Sequence, residues 1–198
     1  MSTLRPVSVA VIHRLAIIVV LVPLVTGCAL TRPQVKSLRD HEAHKIQFDA
    51  PISTTIQALN AIAPHCGPAR DHRVRPEEFR VYEVVGRITR VKREPDHDIH
   101  VVLQDLEDPQ AYIVTESDDA NAGGTVASPY RAKLGDARKM LEDLQRESGA
   151  RELKDLVGLT VRVTGVGFFD MKHFQAERSR SCIELHPILR IERIQIAT

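Results

Sequence analysis

The sequence predicts a mainly β fold of the α+β class: a small five-stranded barrel with one helix between the third and fourth strands and a short helix ahead of the first. Three observations predict it. Aromatic residues make up only 4% of the 198 residues and Trp is absent, so the core must be built from Val, Ile and Leu, a composition that suits β structure. Five segments carry period-two alternation or short apolar runs bounded by turn residues. Between the third and fourth of them lies one long segment with helical spacing.

In chain order, Ser53 is placed to cap a short helix whose Ile56, Leu59 and Ile62 share a face, and Pro64 with Gly67-Pro68 ends it. Residues 69–78 read as polar connection. The first β segment, 79–93, is apolar at Val81, Val84, Val85, Ile88 and Val91, and its change of phase predicts a bulge or sharp bend. After a turn at 96–98, Ile99, Val101 and Leu103 alternate. Glu107-Asp108-Pro109 turns again into a third strand at 111–115, and the acidic stretch 118–124 reads as a solvated loop. Leu134, Ala137, Met140 or Leu141, and Leu144 mark a helix over 131–148, with Gly149 just past its end. Leu159, Val161 and Val163 form the cleanest half-buried strand. Gly165 and Gly167 end it without the further glycine or Lys-Ser/Thr of a phosphate loop, so they mark a bulge or barrel corner. A loop over 170–181 precedes the last strand, from Ile183 to Ile191 with a phase shift to Ile194 and Ile196. The order β-β-β-α-β-β with a long bent first strand is that of an OB-fold. An open antiparallel sheet under one helix is the other arrangement that this order allows.

The first 27 residues contain Arg5 and Arg14, no acidic residue, an apolar stretch from Leu15 to Val25 and the small pair Thr26-Gly27 before Cys28. That is the grammar of a secretory signal. The stretch is about half the roughly 20 residues a spanning helix needs, and Pro23 interrupts it, so a permanent span is not expected. Val25-Thr26-Gly27-Cys28 resembles the lipobox of bacterial lipoproteins. The resemblance implies cleavage before Cys28 and diacylglyceryl attachment to its sulfur; an ordinary signal peptide with an incidental Cys28 is the alternative. Ala29 in place of Asp after the cysteine implies sorting to the periplasmic side of the outer membrane, the cell membrane being the alternative. The chain then divides into a signal peptide (1–27), a lipidated flexible tether (28–50, polar and expected to be mostly disordered), an N-terminal extension with the short helix (51–78) and the OB-like domain (79–198).

Net charge is +1 for the whole sequence, and loss of Arg5 and Arg14 with the signal makes it −1. A near-neutral domain is no electrostatic magnet for nucleic acid, which is therefore not expected as a partner. Arg87, Arg90, Lys92 and Arg93 near Tyr82 and Tyr112 form a local basic patch that ordinary surface charge explains equally well. Of the three cysteines, assigning Cys28 to lipid leaves Cys66 and Cys182, either a disulfide in an oxidising compartment or two free thiols.

Period-two geometry places Asp98 and His100 on one face of their strand and Glu184 and His186 on one face of theirs, opposite the apolar residues. If these strands converge, with Asp170 and His173 from the loop nearby, the groups are able to ligate a divalent metal or to act as acid and base. Imidazoles with carboxylates suit zinc, nickel or iron; carboxylates alone suit calcium or magnesium. No compact motif such as HExxH or CxxC fixes a ligand set, and solvent-facing partners that orient loops explain the same residues.

The runs Asp98-Ile99-His100-Val101-Val102-Leu103, Val163-Thr164-Gly165-Val166-Gly167-Phe168-Phe169-Asp170 with His173 and Gln175, and Ile183-Glu184-Leu185-His186-Pro187 together resemble a family of secreted or lipid-anchored bacterial proteins of unassigned activity, over about residues 80–192. Phe174 and the stretch 176–181 depart from its glycine- and asparagine-containing loop. That family is similar to OB-fold proteins in general, a fold that licenses no activity by itself. Three functions remain open: a non-catalytic OB-type module that binds an envelope protein or small ligand, a metal-dependent hydrolase or nuclease-like enzyme, and a structural envelope lipoprotein.

Overall fold

The computed structural model describes residues 32–67, 72–171 and 176–195; the expected signal peptide, Cys28, His173 and Gln175 lie outside them. The elements in order are α1 (Arg32–Lys36), β1 (Ile52–Ser53), α2 (Ile56–Asn60), β2 (Val81–Arg93), β3 (Ile99–Gln104), β4 (Tyr112–Ser117), α3 (Arg131–Glu147), β5 (Thr160–Phe169) and β6 (Ile183–Arg193), with short 3-10 turns between them. Strands β2-β3-β4-β6-β5 form a continuous ladder, and β5 pairs back on β2 from Val81↔Val166 to Arg87↔Thr160. The sheet therefore closes into a five-stranded barrel, with the single long helix between the third and fourth barrel strands. This is the OB-type barrel, and the open-sheet alternative falls on the β2–β5 pairing.

Alternation builds the core. Val84, Ile88, Ile99, Val101, Leu103, Ile113, Val161, Val163, Ile183 and Leu185 point inward, and Leu141 and Leu144 of α3 with Leu156 pack against them. Burial of a side chain of this size stabilises by roughly 1.5 to 3 kcal/mol. The phase change predicted in the first strand is a register shift between Ile88 and Arg90, which turns β2 from its pairing with β5 to its pairing with β3. The predicted corner at Gly165 and Gly167 is also present, as register shifts against β6. A Cβ on Gly167 would lie 2.5 Å from the Glu77 carbonyl oxygen and 2.9 Å from the Tyr82 ring. Gly167→Ala is accordingly expected to lower stability by about 1 to 3 kcal/mol, as overpacking does, read as a fall in the urea midpoint.

Two local expectations are corrected. The cap of α2 is Thr55, whose hydroxyl accepts from the Ala58 amide at 3.0 Å, because Ser53 is taken up by β1, which runs parallel to β2 at Ile52↔Tyr82 and Ser53↔Glu83. Residues 32–50 do not form a solvated tether. Leu38, Ala43 and Ile46 are buried against Val81, Leu134 and Val166 in a second apolar cluster outside the barrel. Two ion pairs tie the segment down and are buried, Arg32 with Glu78 and Asp40 with Arg73 at 2.9 Å. Sparse apolar residues and many charges read as a linker, but Arg32, Lys36 and Asp40 are matched to partners far along the chain.

The two cysteines form a disulfide, Cys66–Cys182, that ties the segment after α2 to the start of β6. The 176–182 loop is docked on α2 as well, since the Ser181 hydroxyl donates to the Leu59 carbonyl at 2.9 Å and the Arg180 amide to Asn60 Oδ1 at 2.6 Å.

Candidate functional site

The outer faces of β3, β4 and β6 are adjacent, and the register decides which of their polar side chains meet. In the β3–β4 ladder His100 lies opposite Glu116, and where β4 runs parallel to β6, Thr115 lies beside Leu185. Side chains next to these on the opposite face, Glu116 and His186, are thereby neighbours. Asp98, just before β3, and Asp118, just after β4, extend the same rows by one alternation.

The result is a chain of polar contacts centred on Glu116. One of its oxygens, Oε1, is 2.9 Å from His100 Nδ1, and the other, Oε2, is 2.8 Å from His186 Nδ1. The far nitrogen of His186, Nε2, is 2.7 Å from Asp118 Oδ1. Lys36 of α1 closes over this row, with Nζ 2.8 Å from Asp170 Oδ2 and 3.5 Å from Glu116 Oε2. The same Nζ lies 5.5 Å from the Phe168 ring centre. His186 is 1% exposed and Asp118 2%, and His100, Glu116 and Glu184 are buried too.

Burial and mutual charge shape the proton affinities. Burial alone would push the His186 pKa down, but the carboxylates of Asp118 and Glu116 outweigh it and raise the ring to about 10. Burial would raise Glu116, yet His186, His100 and Lys36 hold it well below the usual carboxylate range. Lys36 is raised despite its burial by Glu116, Glu184 and Asp170. Asp98, half-buried and facing the charge of Asp118, is pushed up to about 7. Two like-charged carboxylates beside each other resist joint ionisation, so a cation that approaches Asp98 and Asp118 would relieve the repulsion.

Ligand-type atoms of Asp98, Asp118 and His186 all lie within 4.8 Å of one another, so that small side-chain rotations would bring all three onto one ion. Of the residues singled out by sequence, Asp98, His100 and His186 belong to this cluster directly, and Asp170 and Glu184 reach it through Lys36. His173 lies outside the described residues. Sequence reasoning missed Glu116, Asp118 and Lys36. Glu116 and Asp118 carried a signal, since they continue the alternation of β4 past Thr115, the residue at which the strand was expected to stop; Asp118 in particular is buried and not part of a solvated loop. Lys36 carried none, because nothing local indicates that α1 lies over β4.

The basic patch on β2 is partly neutralised: Arg90 pairs with Glu177 at 3.0 Å and Lys92 with Glu94 at 2.9 Å. Tyr82 belongs to the core, and the Tyr112 hydroxyl accepts from Gln104 Nε2 at 3.0 Å.

No family model and no curated protein matches this sequence. Among solved structures, the chain is similar over 77% of its length to a Leishmania major Friedlin protein assigned as an aspartyl-tRNA synthetase, at 9% identity and a TM-score of 0.40. It is similar over 75% to the asparaginyl-tRNA synthetase of Entamoeba histolytica, at 10% identity and a TM-score of 0.36, and over 75% to the same enzyme bound to asparaginyl-adenylate, at 12% and 0.37. The chain spans only 22 to 25% of the length of these proteins.

Proposed function

We propose that this chain is a bacterial envelope lipoprotein, held at the periplasmic face of the outer membrane by acyl chains on Cys28, whose OB-type barrel is a binding module. The observation that carries the binding reading is the buried row His100–Glu116–His186–Asp118, in which one carboxylate clamps two imidazoles on the outer wall of the barrel. Ionisable groups are costly to bury, and a row of them assembled from three strands and capped by Lys36 has the makings of a recognition centre. Burial of His186 and Asp118 keeps a polymer backbone away from these groups, which favours capture of a small species over turnover of a macromolecule.

Export is supported by the residues before Cys28 and by the Cys66–Cys182 bridge, a bond that belongs to oxidising compartments. Two or three acyl chains on one residue hold a protein far more firmly than one. Since Arg32, four residues beyond Cys28, is buried in the fold, anchorage at Cys28 would hold the barrel close to the bilayer. The test is palmitate labelling of cells that express the full chain. Label should enter the wild type, and Cys28→Ala should lose both label and partition into detergent. A Cys28→Ala chain that stays in the membrane fraction would overturn the anchor.

A metal-dependent hydrolase is the second reading, favoured by the approach of Asp98, Asp118 and His186 to one another. It requires chelator-sensitive hydrolysis of ester or phosphodiester probes by the purified chain; the binding module gives none.

A further inference from the structure

We propose that Asp98, Asp118 and His186 form a binding site for one divalent transition-metal ion of the zinc class, with Glu116 as the positioning residue behind it. This rests on the reading of the barrel as a binding module and names the ligand of that module.

Three observations carry it. The first is the donor set: one ring nitrogen of His186 and one oxygen from each of Asp98 and Asp118 lie within 4.8 Å of one another, so side-chain rotations bring all three to a common ion. One imidazole with two carboxylates selects a borderline cation; calcium and magnesium prefer oxygens alone.

The second is what stands behind the imidazole. Glu116 Oε2 makes an ion-pair contact with His186 Nδ1 at 2.8 Å, outside hydrogen-bond alignment, and Nε2 is the atom that faces Asp118. A carboxylate on the far nitrogen of a histidine fixes ring orientation and raises the basicity of the nitrogen that faces the metal. Glu116 does the same for the His100 ring through Oε1 at 2.9 Å, so one buried side chain orients two imidazoles.

The third is charge. Asp98 and Asp118 bring two carboxyl groups together beside a single imidazole. Like charges so close repel most strongly where water is excluded, and His186 and Asp118 are 1% and 2% exposed. A divalent cation between Asp98 and Asp118 relieves that repulsion.

The experiment is calorimetric titration of zinc, and separately of magnesium, into the full chain after chelator treatment, with Asp98→Asn, Asp118→Asn and Glu116→Gln alongside. The carboxamides keep an acceptor oxygen for the Asp119 amide and for the imidazoles, and circular dichroism confirms that each variant is folded. Wild type should bind a single zinc ion saturably and should not bind magnesium with comparable affinity. Asp98→Asn and Asp118→Asn should each weaken zinc, and Glu116→Gln should weaken it roughly 10- to 100-fold although it touches no metal. No saturable zinc binding by the wild type, or binding that both Asp variants leave unchanged, would overturn the site. A chain that is lipidated and membrane-bound yet takes up no zinc loses this inference while the envelope reading stands; a chain that binds zinc without carrying lipid does the reverse.

Discussion

Glu78→Ala should lower the unfolding free energy by about 3 to 5 kcal/mol, the range seen when one member of a buried ion pair is removed. Glu78 is fully buried and its carboxylate accepts from the Arg32 guanidinium, from the Val74 amide and, at 2.9 Å, from the Phe169 amide. Arg32 also donates to the Phe169 and His72 carbonyls and stacks 3.7 Å above the centre of the Phe168 ring. Truncating Glu78 therefore orphans a buried cation and two amides at once, and it loosens α1, which holds Lys36 over the site. Urea unfolding measures the effect as a fall in midpoint at nearly constant slope. A loss below about 1 kcal/mol, the median for exposed pairs, would show that this segment is not packed as described. An apolar double replacement of Arg32 and Glu78 should recover much of the loss, because the penalty lies in the partner left unpaired.

The second large effect belongs to the disulfide. Cys66 and Cys182 are 116 residues apart in sequence. Closing a loop of that length restricts the unfolded chain enough to contribute about 4 to 5 kcal/mol in the chain-entropy description. Cys66→Ser with Cys182→Ser, or reduction of the native chain, should lower stability by that order and steepen the urea dependence as the unfolded chain expands. The bridge ends one residue before β6, the strand that carries Glu184 and His186. Its removal should therefore also broaden the amide resonances of those residues in heteronuclear NMR before it affects distant β2. Equal stability with and without the bond would contradict the role assigned to it.

The barrel was largely legible in the sequence. Alternation at Ile99-Val101-Leu103 and Leu159-Val161-Val163, and the helical spacing of Leu134, Ala137, Leu141 and Leu144, are local signals, and each element formed where its period placed it. Closure was not legible, because the β2–β5 ladder joins residues more than seventy positions apart and strand order alone permits an open sheet. The site was half legible. Period two put Asp98 with His100 and Glu184 with His186, and the fold brought both pairs to one wall. Glu116, the group that joins the two histidines, was hidden because β4 was ended at Thr115, two residues before its last. The least legible part was residues 32–50. Arg32, Asp40 and Lys36 look like solvated charge until their partners Glu78, Arg73 and Asp170 are placed beside them, and nothing in local spacing can supply partners so far along the chain.

One measurement tests the role of the carboxylate–imidazole row most directly: an anomalous difference map, recorded at the zinc absorption edge, from crystals of the chain grown with zinc. The predicted result is a single peak about 2.0 to 2.2 Å from His186 Nε2 and from one oxygen each of Asp98 and Asp118, with Glu116 still on His186 Nδ1. A map without a peak there, and with the His186 Nε2 to Asp118 Oδ1 contact intact at its 2.7 Å, would contradict it and leave the row as a structural ion-pair network.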